Sequence, residues 1–136
     1  MEIKTINDKV SVSPQISPND LPAIKEAGFT TIINNRPDGE APDQPDGALI
    51  EQEARNLGLE YIAIPMGRDG VSPDMIEATK NAMASEGKVF AYCRSGTRST
   101  TLWALSQAGE MPADEIIKSA ANAGYDVSHL AQYLSE

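Results

Sequence analysis

The only cysteine of the chain, Cys93, opens the string Cys93-Arg94-Ser95-Gly96-Thr97-Arg98-Ser99. It follows Val89-Phe90-Ala91-Tyr92, a continuous apolar run that reads as a buried parallel strand. After it comes a segment through Leu102, Trp103 and Leu105 that reads as a helix reaching Gly109. A loop with a glycine at its centre can turn its backbone N–H groups inward, and the start of the next helix adds unpaired donors and a positive dipole end. The product is a cradle for an anion with a thiol at its base. That potential, together with the guanidinium of Arg98, favours the thiolate, which is the nucleophilic form. From the first helical turn, Arg98 can grip two oxygens at once. Arg94, Ser95, Gly96 and Thr97 are expected to line the cradle. The competing reading, an inert buried cysteine at a strand end, leaves the glycine and both arginines beside it unexplained.

The elements that must position this loop follow from pattern and punctuation. A strand is expected over Val10 to Ile16, then a helix capped by Ser17 or Asp20 and ended by Gly28. Phe29 to Ile33 reads as a second strand, broken by the turn-forming residues Asn34 to Gly39, with residues 40–46 irregular. Ala48, Leu49, Ala54 and Leu57 form the apolar face of a helix closed by Gly58. Tyr61 to Ile64 is a third strand, and Ser72-Pro73 starts another helix. The residues after Gly109 read as helical, with a break at Gly124. Strands alternating with helices predict an α/β fold with a mostly parallel sheet of four to five strands and helices on both faces. Ligands of such sheets gather at the carboxyl ends of the strands.

Composition narrows the classes. At 136 residues the chain fits one domain, 1–136, and no repeat or linker divides it. Eleven Lys and Arg against twenty Asp and Glu give a net charge of −9, a field that repels nucleic acid and anionic membrane. No run approaches the ~18 apolar residues of a membrane span, and Met1-Glu2-Ile3-Lys4 lacks a leader pattern; a cytoplasmic location is expected. One cysteine excludes a disulfide within the chain and a cysteine-based zinc cluster. Glu51, Glu53 and Glu60 read as a solvated face, and His129 lies far from the motif, so neither a metal nor a cofactor is implied. Of five arginines, Arg36, Arg68, Arg94 and Arg98 follow predicted strands, and only Arg55 does not. They should form a positive patch that focuses an anion onto Cys93, with Arg36 and Arg68 as outer substrate contacts.

Four segments carry a family resemblance: Ile16-Ser17-Pro18-Asn19-Asp20-Leu21; Gly28 through Ile32-Ile33-Asn34-Asn35-Arg36-Pro37-Asp38-Gly39-Glu40; Tyr61 to Pro65; and Ala91 to Thr100. On these the chain resembles the bacterial phosphatase-like domains named after their fusion to beta-lactamase-like hydrolases, a branch near the dual-specificity and tyrosine phosphatases. The resemblance covers nearly the whole chain and implies a cysteine-phosphatase-like fold. It further implies that Cys93 attacks phosphorus to form a phosphocysteine, that Arg98 and the loop amides hold the equatorial oxygens, and that Ser99 eases departure of the thiolate. An aspartate should protonate the leaving oxygen. Asp69, in Pro65-Met66-Gly67-Arg68-Asp69-Gly70, is similar in placement to the general acid of dual-specificity enzymes, and Asp38 is the reserve. The substrate would be a phosphorylated protein or a small anion.

One feature departs from that family pattern. Cysteine phosphatases carry five residues between cysteine and arginine, whereas Cys93 and Arg98 enclose four, and Tyr92 stands where those enzymes usually have histidine. The shorter spacing resembles the active loop of rhodaneses, whose cysteine carries a persulfide. Sulfur transfer therefore stands as an alternative on the same nucleophile, and a non-catalytic phosphate-binding module as a third reading.

Overall fold

The computed structural model describes residues 1–135. Five strands form one sheet: β1 (Lys4–Thr5), β2 (Val10–Ser13), β3 (Phe29–Asn34), β4 (Glu60–Ala63) and β5 (Lys88–Tyr92). They lie side by side in the order β1-β2-β5-β3-β4, and every pairing is parallel except β1 with β2. The central strand is therefore β5, the one that leads into Cys93.

Side chains alternate along β5 with the period of two that a pleated strand imposes, and along β3 after an irregularity between Phe29 and Thr31 that turns Phe29 to the same face as Ile32. Ile33, Val89 and Ala91 enter one core, and Phe29, Ile32, Phe90 and Tyr92 enter the other. Each core is closed by helices. On the second face lie α1 (Leu21–Glu26) and α2 (Gly47–Asn56), through Leu21, Ile24, Ile50 and Ala54. On the first lie α3 (Pro73–Met83), α4 (Thr97–Ser106), α5 (Ala113–Asn122) and α6 (Ala131–Leu134), through Ala82, Leu102, Trp103, Ile116, Ala120 and Leu134. The expected α/β architecture with both faces covered is the observed one.

The helices begin where capping chemistry allows. Ser72 accepts a hydrogen bond from the Met75 N–H ahead of Pro73, and the Ser17 N–H donates to Asp20 ahead of α1. Several boundaries differ from those read in the sequence: β3 runs one residue further, to Asn34, β4 lies one residue earlier, at Glu60–Ala63, and β5 starts one residue earlier, at Lys88. The strand expected to reach Ile16 stops at Ser13, because Pro14 has no N–H for the ladder and Gln15 donates instead to the Arg94 carbonyl at 3.3 Å. The edge strand β1, two residues long, was not expected. The helix expected to reach Gly109 ends at Ser106.

Candidate active site

The site lies where the four parallel strands end. β5 delivers Cys93, whose N–H donates to the Ser13 carbonyl at 3.3 Å and so ties the loop to the end of β2. On the other side the Asn35 N–H donates to the Tyr92 carbonyl at 2.8 Å, and the Asn35 side-chain amide donates to the Ile64 carbonyl at 2.9 Å. Loops from β2, β5, β3 and β4 are thus pinned to one another immediately around the cysteine.

Within the loop, the Gly96 N–H donates to the Cys93 sulfur at 3.0 Å. Gly96 has φ +92°, a left-handed conformation that favours glycine, and it forms the start of α4. A side chain there would collide with the Tyr125 hydroxyl, which donates to the Ser95 carbonyl at 2.9 Å and braces the loop from the far end of the chain. Burial and then the nearby Cys93 sulfur push the Tyr125 hydroxyl upward in pKa. Cys93 is fully buried, while Arg94, Ser95 and Thr97 are exposed. The Ser99 hydroxyl is buried in the first turn of α4 and has no hydrogen-bond partner among the described residues.

Three hydrogen bonds fix the side chain of Arg98. It donates Nη1–H to Glu40 Oε2 and to the Met66 carbonyl, and Nη2–H to Glu40 Oε1, each at 2.8 Å. These contacts use three of the five guanidinium donors. Nε–H and the second Nη2–H donate to no oxygen of the described residues; they point together along one edge of the group and form a second fork suited to two anion oxygens. Glu40 thus orients Arg98 without consuming the edge that an anion needs. Its hydrogen bond, followed by the charge of the Cys93 sulfur, outweighs burial and keeps the guanidinium firmly protonated.

Sequence reading did not single out Glu40, and it is the organising carboxylate. Arg98 first, with Arg36 adding to it, holds its carboxyl down to about 2, against burial, which acts the other way. Arg36 is 5% exposed and donates Nε–H to Glu40 Oε1 at 2.9 Å and Nη1–H to Gln15 Oε1 at 3.0 Å. Arg36 and Arg98 do converge, but on this carboxylate, so Arg36 stands behind Glu40 and not at the surface. The signal that could have found Glu40 was its place four residues after Arg36 in a loop following a strand.

The remaining candidates are spread around this centre. Asp69 and Arg68 are exposed in the turn Gly67–Gly70, closed by a 3.1 Å bond from the Gly70 N–H to the Gly67 carbonyl, in the connection that follows β4. Asp38 accepts the Gly47 N–H at 2.9 Å and so holds the start of α2. Among the described residues no group of His, Cys, Asp and Glu is arranged to hold a metal ion. Among the described residues no helix is long and apolar enough to cross a membrane.

Comparison with known proteins bears directly on this geometry. Residues 2–110 match the family described as the beta-lactamase hydrolase-like protein, phosphatase-like domain. The chain belongs to this family. A beta-lactamase hydrolase-like protein of Xylella fastidiosa (strain Temecula1) is 34% identical over 98% of the chain. The chain spans about a third (32%) of the length of that relative. Among solved structures, the phosphatase-like protein nma1982 of Neisseria meningitidis z2491 is 35% identical, covers 98% of this chain and 96% of its own, and superposes with a TM-score of 0.82. PTPMT1, 15% identical over 98% of this chain and 92% of its own, has a TM-score of 0.73 and shares the fold. The family expected from the four sequence segments is the observed one.

Proposed function

We propose that this member of the phosphatase-like family is a cysteine-dependent phosphomonoesterase of the tyrosine and dual-specificity type. The observation that carries the reading is Arg98, held by Glu40 and the Met66 carbonyl with one fork of donors taken by no oxygen of the described residues, in the helical turn that follows the loop of Cys93. That fork takes two phosphoryl oxygens, and the charge it supplies grows in value as negative charge accumulates in the transition state. The Cys93 thiolate forms a bond to phosphorus while the ester P–O bond breaks. The electron pair of that bond goes to the leaving oxygen, which takes a proton from Asp69. Water then attacks the phosphocysteine, the P–S bond breaks, sulfur leaves as thiolate, and Asp69 recovers a proton from the water. The Gly96 N–H at the sulfur and the Ser99 hydroxyl both favour that departure. Because Cys93 is fully buried, phosphorus reaches sulfur only as Arg94, Ser95 and Thr97, the exposed residues of the loop, yield to the substrate.

The four-residue spacing from Cys93 to Arg98 favours a second reading, persulfide transfer from an anionic sulfur donor. The two are separated by assaying wild type and Cys93→Ser against para-nitrophenyl phosphate, and against thiosulfate with cyanide. Phosphate release that depends on Cys93, with no thiocyanate, is the expected result. Thiocyanate alone would replace the phosphatase reading, and anion binding with no turnover of either substrate would leave a binding module.

A further inference from the structure

We infer that the apolar groove beside Arg98 receives the leaving group of the substrate, and that this group is an aryl system wider than one ring; the inference rests on the phosphatase reading. The groove has a volume of about 570 Å³, and Met66, Val71, Ile76, Leu105, Leu130 and Tyr133 line it. Three observations join it to the cradle. Met66 both accepts from Arg98 through its carbonyl at 2.8 Å and lines the groove. Arg98, Thr101 and Leu105 are spaced three and four residues apart on α4 and so share one stripe of that helix, and the latter two line the groove. At another lip, Gly70 and Val71 continue directly from Asp69.

A phosphoester is directional. With its phosphoryl group at Cys93, its bridging oxygen must face the general acid, and whatever that oxygen carries extends past the acid. The groove begins at the residue after Asp69. Its lining is aliphatic and thioether with one aromatic ring, Tyr133, and the hydroxyls of Ser72, Thr101 and Tyr133 are its polar side-chain groups. A sugar or polyol would lose hydration there with few hydrogen bonds in return. An aromatic face gains by packing on Met66 and on Tyr133, which stays 61% exposed at the groove. Leu130 and Tyr133 come from beyond residue 110, where the family match ends, so a leaving-group preference would be written partly in the C-terminal segment.

Steady-state kinetics on phenyl and 2-naphthyl phosphate, whose alcohols leave comparably well, test the assignment in wild type, Leu105→Gln and Tyr133→Ser. Burial of a second ring predicts a KM roughly tenfold lower for the naphthyl ester, and the ratio should move toward one in both variants. Tyr133 is exposed, so its variant keeps the test open if Leu105→Gln does not fold. Equal KM values in wild type, or a ratio unmoved by both substitutions, would overturn the groove assignment and leave the phosphatase reading standing. Octyl phosphate with a lower KM than the naphthyl ester would overturn the aryl assignment. Absence of Cys93-dependent phosphate release from every ester would overturn the phosphatase reading itself.

Discussion

Glu40 and Asp69 are two carboxylates with opposite demands on their protons. Glu40 stays ionised because two arginines converge on it; Asp69, exposed in its turn, is the proton donor of the proposed mechanism. Asp69→Asn should lower kcat on phenyl phosphate by roughly a hundredfold. The same change should cost far less on para-nitrophenyl phosphate, because nitrophenolate departs without a proton; equal losses on the two esters would remove Asp69 from the acid role. Glu40→Gln keeps the shape of the side chain but weakens the fork that orients Arg98, and kcat/KM should fall by about tenfold, the scale of one charged hydrogen bond. Stability gives an independent reading. The Glu40 carboxyl is lowered in the folded state from 4.5 to about 2, so its contribution is complete above about 4.5 and is lost as the pH falls through about 2. The gap in urea midpoint between wild type and Glu40→Gln should therefore close across that interval. The carboxylate is 28% exposed, which keeps the gap modest. A gap that persists unchanged at pH 2 would show that Glu40 acts through its shape alone.

The connections between elements carry more of the site than the elements do, which explains what the sequence disclosed. The end of β5 at Tyr92-Cys93 was legible where an apolar run met turn residues, those of β3 and β4 to within one residue (Asn34 and Ala63, against Ile33 and Ile64), and so were the capped starts near Ser17 and Ser72. The edge strand β1 was not, because two residues, Lys4 and Thr5, are too few to show a period. Contacts across long separations were equally hidden: Arg98 meets Glu40 across 58 positions, and Tyr125 meets Ser95 across 30. Local patterns cannot encode such pairs. The cradle at the loop between β5 and α4 follows from Gly96, whose positive φ a larger residue adopts only with strain and whose missing side chain makes room for Tyr125. Gly96→Ala should therefore abolish phosphatase activity, whereas Tyr125→Phe, which loses only the bond to the Ser95 carbonyl, should lower kcat/KM severalfold. If Gly96→Ala retained full turnover, the bracing of the loop by Tyr125 would be irrelevant to catalysis.

At the scale of the molecule, the family match stops at residue 110, yet the core does not. Ile116, Ala120, Val127 and Leu134 are buried in the same cluster as Leu102, Trp103 and the strand residues Val89 and Ala91. The C-terminal segment therefore finishes the core beneath α4 and also supplies Tyr125 to the loop of Cys93. Such sharing predicts that residues 1–135 unfold as one cooperative unit. Trp103, the single tryptophan and 2% exposed, reports on that core by fluorescence, while far-UV circular dichroism reports on all helices. The two signals should change together in urea. Ile116→Ala removes a fully buried side chain and should lower stability by about 2–5 kcal/mol. It should also shift the fluorescence and dichroism midpoints equally, although Ile116 lies outside the family match. A variant in which the C-terminal helices melted first, with Trp103 still in its native environment, would instead make residues 111–135 a separable cover on a self-sufficient phosphatase-like domain. In that event activity lost with the cover and regained on its addition would trace the dependence to Tyr125 and not to the core.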